Sequence, residues 1–292
     1  CESMKIKILI PIYNDWQSVQ KLIKDVDILI NDLPHDFSIF IINDGSTDNK
    51  PDTFGNVTNI NSLKVINIKN NLGHARCIAT GLKHIYENEE FDYIIPMDGD
   101  GEDRPEEIKM FIDNLTYNEN IPIVGERVKR SEGFYFKISY KIHKLITFIF
   151  TGKNIKFGNF TLLPKKTVEK LINDKATWSS FSGALSKLEN NLAKIPSERG
   201  KRYFGPSKMN FYSLIKHSLS IIAVFKASVI IRSIAFYAIY LILISNNLSI
   251  ITCIPLALIV IFGIFVVRVS GRESIEDLNN SLNNISNIDI IK

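Results

Sequence analysis

Four short apolar runs rich in β-branched residues, 5–12, 37–43, 63–68 and 92–97, mark the first hundred residues. Residues 16–32 and 73–88 repeat apolar positions at helical spacing, and a further helix is predicted from Pro105, a residue suited to a first helical turn. Strands alternating with helices predict an α/β fold with a mostly parallel sheet and helices on both faces. Ligands of such sheets gather beyond the carboxyl ends of the strands. Each run ends in polar text there: "PIYND", "NDGSTD", "NNLGHARCIATG" and "DGDGED". Four loops that carry chemistry are therefore expected along one edge.

The pattern changes beyond residue 210. In "FYSLIKHSLSII", Phe211, Leu214, Ile215, Leu219 and Ile222 share one helical face, with Lys216 and His217 off it. This is the pattern of an amphipathic helix lying on a membrane or packed against the globular part. Two apolar segments of about 18 residues follow, "ASVIIRSIAFYAIYLILI" and "IITCIPLALIVIFGIFVV", near the lower limit for crossing a bilayer. Arg232 interrupts the first and is expected to snorkel or sit near the interface. The link between them carries no charge, whereas Arg268 and Arg272 follow the second. By the positive-inside bias the pair forms a hairpin with both ends cytoplasmic. Two buried helices of a soluble core are the alternative, disfavoured by tandem runs with a charge-free link. The predicted organisation is a globular domain over 1–210, a juxtamembrane helix over 211–226, a transmembrane hairpin over 227–268 and a cytoplasmic tail over 269–292.

Composition sharpens this picture. The 292 residues, 45% hydrophobic, suffice for one large domain and something more. The net charge of +4 hides an asymmetry: residues 1–125 carry 11 Lys/Arg against 21 Asp/Glu, and residues 126–217 carry 19 against 6. An acidic half followed by a basic one suits a site joining a cation to phosphates, or a basic face on an anionic membrane; two solvated surfaces are the plainer reading. Cys1, Cys77 and Cys253 have no metal-like spacing and fit a reducing compartment. No signal-peptide pattern precedes the first strand.

No glycine-rich phosphate loop follows the first strand, which excludes the dinucleotide fingerprint and the P-loop. Asp98 and Asp100 project the same way from an extended chain, and Gly99 and Gly101 permit close backbone approach. Paired hard oxygens suit Mg²⁺ or Mn²⁺, which bridges a diphosphate. A calcium loop fails on spacing, because its sixth position is Asp103 and its twelfth Lys109.

Together these residues resemble the family 2 glycosyltransferases of the GT-A fold, and most closely their polyprenyl-phosphate branch, across about residues 5–268. "IPIYND" matches the family's opening; the resemblance implies that Pro11, Tyr13 and Asp15 line the nucleotide base. "INDGSTD" matches D-D-G-S-x-D with Asn43 in the first acidic place, which implies nucleotide contacts for Asp44 and Ser46. "NLGHARCIATG" agrees at Asn71, Gly73, Ala79 and Gly81, with Asn71 and Gly73 carried over to nucleotide binding. "DGDGEDRPEE" matches D-A-D-L-Q-x-P-P-E, with Glu102 in place of the glutamine and Arg104 in place of a proline. The implied metal ligands are Asp98, Asp100 and Glu102. "GERVKR" resembles a basic element carrying Arg127 and Arg130, and "GNFTLLPKKTVEKL" the segment before the acceptor-side helix. "RGKRYFGPSKM" fits R-x-x-R-x-x-G-x-S-K through Arg199, Arg202, Gly205, Ser207 and Lys208.

The implied reaction is inverting transfer of a sugar from a UDP- or GDP-sugar to a polyprenyl phosphate. Asp98 and Asp100 hold Mg²⁺ or Mn²⁺ on the diphosphate, and Arg127, Arg130, Arg199, Arg202 and Lys208 hold the lipid phosphate. The acidic and basic sets are expected to serve donor and acceptor separately. A phosphate acceptor is already largely ionised at pH 7 and requires no general base, whereas a hydroxyl requires one. The alternatives are a transferase acting on a glycolipid hydroxyl, with Glu198 as base, and an inactive membrane scaffold. The Lys/Ile/Asn-rich composition points to an AT-rich bacterium and so to undecaprenyl phosphate. The expected partners are the nucleotide sugar, the lipid phosphate and the bilayer, with room for a homo-oligomer and none for nucleic acid.

Overall fold

The computed structural model describes residues 3–129, 134–206 and 211–292. β1 (Lys5–Ile12), α1 (Trp16–Ile30), β2 (Asp36–Asn43), β3 (Ser62–Ile68), α2 (His74–Asn88) and β4 (Tyr93–Pro96) follow the predicted runs closely. The four strands are parallel, in the order β3-β2-β1-β4. Alternate side chains of β1 part to opposite layers. Ile6, Ile8, Ile10 and Ile12 join a core with α1 and α3 (Glu107–Leu115), while Leu9 joins one with α2. α2 lies so close to the sheet that a Cβ on Gly81 would collide with Leu9 Cδ1.

Beyond β4 the sheet becomes mixed. β5 (Ile123–Lys129) is followed by α4 (Phe134–Thr151), β6 (Phe157–Pro164), α5 (Lys165–Ile172), α6 (Phe181–Leu188) and β7 (Ala193–Glu198). β6 runs antiparallel to both β4 and β5, and β7 parallel to β5. α7 (Phe211–Ala223), α8 (Lys226–Ile244), α9 (Ile250–Ser270), α10 (Ile275–Asn279) and β8 (Ile285–Ile290) complete the described chain. The eight strands are ordered β7-β5-β6-β4-β1-β2-β3-β8.

α8 and α9, of 19 and 21 residues, reach roughly 28 and 31 Å, the thickness of a hydrocarbon core. They pack on each other. Few of their side chains are buried: Val229 and Ile244 on α8, and Leu256, Val266 and Ser270 on α9. The core helices of a soluble domain hide most of their residues, and these two do not. The hairpin also shares a small core with α7, where Ile222 and Ala223 meet Val229 and Val266. The carboxyl half of α7 thus packs against protein, while Ile215 stays exposed.

Three features depart from the sequence expectations. α4, not among the predicted elements, exposes Ile142, Leu145 and Phe148 and stacks Phe150 on Phe262 of α9 at 4.7 Å between ring centres. Exposed Arg232 takes a partner that the sequence did not reveal. Its Nη1 donates to the Ile149 carbonyl at 3.0 Å, satisfying a carbonyl at the end of α4 that the helix itself leaves without a partner. Residues 269–292, expected as a tail apart from the catalytic domain, return to it. Leu278 of α10 packs with Ala79 and Trp178, and β8 pairs antiparallel with β3. The exposed backbone of β3 supplies the reason, because an open edge is a template for another strand.

Candidate active site

The four polar loops meet at the carboxyl edge of β1–β4. After β4 the chain turns sharply: the Asp98 N–H donates to the Asp103 carboxylate at 2.8 Å, and the Glu102 N–H donates to Asp100 Oδ1 at 2.9 Å. Asp98 Oδ1 lies 3.1 Å from His74 Nε2 at the start of α2, and the Asn159 amide of β6 lies 2.7 Å from that nitrogen. Desolvation alone would raise the Asp98 pKa, but His74, Arg127 and Arg199 hold it well below the usual carboxylate range. Asp100 is pushed up to about 6 by burial and by the Asp98 charge, with Arg202 and Arg199 only partly opposing. Burial and Asp98 likewise push the Asp103 carboxyl well up.

The loop after β7 lies directly on this turn. The Gly200 N–H donates to the Glu102 carbonyl at 2.8 Å, and the Tyr203 N–H to the Asp100 carbonyl at 2.9 Å. Arg199 pairs with Glu102, and Arg202 forks between Asp15 and Asp100, the latter at 2.8 Å. Arg202, Asp15 and Asp100 are largely buried, with 13%, 16% and 16% of their side chains accessible. Tyr203 covers Gly101, whose φ of +85° and lack of a side chain leave room for the ring; a Cβ there would meet it at 2.6 Å. The Tyr203 hydroxyl donates to Asp25 at 2.7 Å. The Arg127 guanidinium rests against Gly158, where a Cβ would lie 2.6 Å from Nη2.

The remaining predicted residues frame the opening. Tyr13 is exposed, and Pro11 is buried in β1 opposite Ile42. Ser46 Oγ accepts from the Asn14 N–H at 2.9 Å. Asp44 is buried, and its two oxygens accept from the Leu72 and Gly73 N–H groups at 2.7 and 2.9 Å. It braces the loop that carries Asn71 and opens little to solvent. Arg130, Ser207 and Lys208 lie outside the described residues.

Two expectations need correction. The basic residues do not form a separate acceptor face: Arg127, Arg199 and Arg202 sit on the acidic edge, because buried like charges require counter-charges that the fold supplies from β5 and the loop after β7. Asp98, Asp100 and Glu102 also do not converge. Each is drawn to a different protein cation, and among the described residues no group of three acids, histidines or cysteines is arranged to hold a metal ion. The donor chemistry of Asp98 and Asp100 still fits a hard divalent cation, since both offer carboxylate oxygens, two residues apart, at the partly open end of the sheet. His74 and Asn159 escaped the sequence reading. The one available signal was a histidine opening a helix directly after a strand-end loop.

Residues 7–176, more than half of the chain, match the family described as Glycosyl transferase family 2. The chain belongs to that family. A curated relative is the undecaprenyl-phosphate 4-deoxy-4-formamido-L-arabinose transferase of Salmonella choleraesuis (strain SC-B67), 27% identical over 218 residues. The match covers 72% of this chain and 64% of the relative, so the chain spans less than two thirds of that protein's length. Among solved structures, glucosyl-3-phosphoglycerate synthase from Mycobacterium tuberculosis, in complex with Mn²⁺, UDP-glucose and phosphoglyceric acid, superposes with a TM-score of 0.56 at 12% identity, covering 77% of this chain and 80% of that one. Mannosyl-3-phosphoglycerate synthase from Rubrobacter xylanophilus gives 0.53 at 12% identity, covering 76% and 72%. These likenesses establish the GT-A fold that the sequence led us to expect.

Proposed function

We propose that this glycosyltransferase moves a sugar, with inversion, from a UDP- or GDP-sugar to a polyprenyl phosphate, undecaprenyl phosphate in a bacterium, at the cytoplasmic membrane face. One observation carries the reading: the arginine loop 199–205 is folded onto the acidic turn only a short segment ahead of the membrane-length helices. Groups suited to phosphate thus lie on the donor edge itself, in the segment of chain that precedes those helices. The undecaprenyl-phosphate transferase among its relatives supports the same acceptor class.

In this reading Tyr13, Asp15 and the Ser46 loop hold the nucleoside. Asp98 and Asp100 would hold Mg²⁺ or Mn²⁺, which supplies Lewis-acid stabilisation of the departing diphosphate. Arg199 and Arg202 exchange their carboxylate partners for phosphate oxygens, which their planar forks suit equally well. Arg127, beside Asp98, steadies charge at the same point. The lipid phosphate attacks the anomeric carbon directly; its second pKa lies near 6, so no side chain has to remove a proton. The catalytic domain and residues after Arg272 lie on the cytoplasmic side.

The test is a panel of radiolabelled UDP- and GDP-sugars offered with undecaprenyl phosphate and Mg²⁺ or Mn²⁺. Label entering the organic phase, together with nucleoside diphosphate released only when lipid phosphate is present, is the expected result. Transfer to a glycolipid hydroxyl instead would favour a base-assisted enzyme, and no transfer with any donor would favour a scaffold.

A further inference from the structure

Three polar side chains stand side by side at the carboxyl end of the sheet, one on each of β2, β3 and β8. Asn43 is opposite Asn67 in the β2–β3 ladder, and Asp289 is opposite Val65, one step diagonally from Asn67 on the same face. That face also carries Ile41 and Val65, which pack with α1. Asn67 Nδ2 donates to Asp289 Oδ2 at 3.0 Å, and Asn43 Nδ2 donates to Asn67 Oδ1 at 2.9 Å. Asn43 Oδ1 then accepts from the Ser46 N–H at 3.0 Å, and Ser46 Oγ accepts from the Asn14 N–H at 2.9 Å. Asn14 has φ of +51°, a conformation that a non-glycine residue keeps only where its surroundings hold it. Tyr13 and Asp15 flank it.

The sense of this relay is fixed at both ends, and the two ends agree. An amide can present either its oxygen or its nitrogen, so two facing asparagines alone have two equivalent arrangements. An ionised carboxylate only accepts. Asp289 therefore turns the Asn67 nitrogen toward itself, and the Ser46 N–H, which only donates, turns the Asn43 oxygen toward itself; the two asparagines between them satisfy both demands in one arrangement, and removing Asp289 leaves the Asn67 nitrogen without its acceptor. Asp289 also pairs with Lys50, at the far end of the same loop, and accepts from Asn287 at 2.8 Å. Both ends of the segment 43–50 are thus tied to a strand that the chain reaches only after the hairpin.

We infer that Asp289 is a positioning residue of the nucleoside pocket, and that this pocket takes its binding-competent shape only with β8 in place. The inference rests on the proposed nucleotide-sugar donor. Asp289 touches no substrate; it acts through Asn67, Asn43 and Ser46 on the turn that presents Tyr13 and Asp15.

Calorimetric titration of the full chain with UDP and with GDP, in the presence of Mn²⁺, tests it without needing an acceptor. Asp289→Ala is expected to weaken the preferred nucleoside diphosphate about 3- to 10-fold, the worth of one or two oriented hydrogen bonds. Asn67→Ala should do the same, and the double variant should weaken binding no further than either alone. Asp289→Asn, which keeps an acceptor oxygen, should recover part of the loss. Ile290→Ser, at an exposed position of the same strand, should bind like the wild type. Wild-type protein that binds neither UDP nor GDP would overturn the donor assignment and this inference with it. Wild-type protein that binds, with Asp289→Ala and Asn67→Ala binding equally well and only melting earlier, would overturn the inference alone. If Asp289→Ala does not fold, Asn67→Ala and Asp289→Asn decide in its place: wild-type affinity in both overturns the inference, and weakened binding in Asn67→Ala upholds it.

Discussion

Asp98 and Asp100 are two residues apart, yet their surroundings push their pKa values in opposite directions. His74 and two arginines keep Asp98 ionised, while burial beside that charge lifts Asp100 to about 6. Asp100→Asn should abolish sugar transfer and leave the circular-dichroism spectrum and melting cooperativity intact, because the residue sits beyond a strand end and outside the core. Turnover near the wild-type rate would remove Asp100 from the mechanism, and undiminished activity in excess chelator would remove the metal. A different aspartate should govern acid stability. Asp27 of α1 accepts from the Asn59 and Ile60 N–H groups at 2.8 and 2.9 Å and from the Thr58 N–H at 3.0 Å. Burial opposes its ionisation, but these bonds hold its pKa below the ordinary value. The stability it confers is present above the unfolded pKa near 3.8 and disappears as pH falls through the lower folded value. Asp27→Asn should cost about 1.5–3 kcal/mol at pH 7, with the gap to wild type closing in strong acid; denaturant melts at both pH values measure it. The acids of the site were legible because carboxylates at strand ends have few structural uses. His74 and Asn159 were not, because only tertiary contact brings them to Asp98. Arg202 stood out in the sequence as a candidate phosphate ligand, but linear sequence hides that residues 15, 100 and 202 meet.

Among the elements, the closest interdependence is between the turn 98–103 and the loop 199–205. Two backbone hydrogen bonds and two ion pairs join them, with Tyr203 seated on Gly101. Gly101→Ala puts a methyl group into the ring and strains a positive φ, at a cost of about 1–3 kcal/mol. It should displace Arg202 together with Tyr203. Transfer is expected to fall by about tenfold or more, a larger effect than the loss in melting temperature suggests; initial rates alongside calorimetry decide it. The parallel core, β1 to β4, was readable because buried parallel strands are nearly continuous apolar runs. α4 was missed although Lys137, Lys141 and Lys144 recur at helical spacing in "FYFKISYKIHKLITFIFT". Its partners, α8 and α9, lie far along the chain. β8 was missed because "ISNIDI" is short and polar; an edge strand is defined by the edge it covers.

For the whole molecule, the pairing of β8 with β3 constrains topology more firmly than charge counting. A strand hydrogen-bonded to the catalytic sheet lies on the same side of any membrane as that sheet, so α8 and α9 must cross an even number of times in total. In a variant with Cys1 and Cys253 replaced by serine, which leaves only the buried Cys77, a cysteine at Asn247 should react with an impermeant thiol reagent only from the outside, and one at the exposed Glu276 only from the inside. Both reacting from one side would exclude the hairpin.

The same pairing orders the protein's own biosynthesis. Ribosomes deliver β3 early and β8 only after both membrane helices have been made. Until then β3 presents an unpaired row of backbone donors and acceptors, the kind of surface through which nascent chains stick to one another. Translation and insertion must outrun that hazard, and the soluble-looking domain is finished only when the bilayer segment has folded back. Cutting the hairpin away to obtain a convenient water-soluble enzyme would therefore strand β3 open, and such a fragment should aggregate unless a strand is supplied in trans.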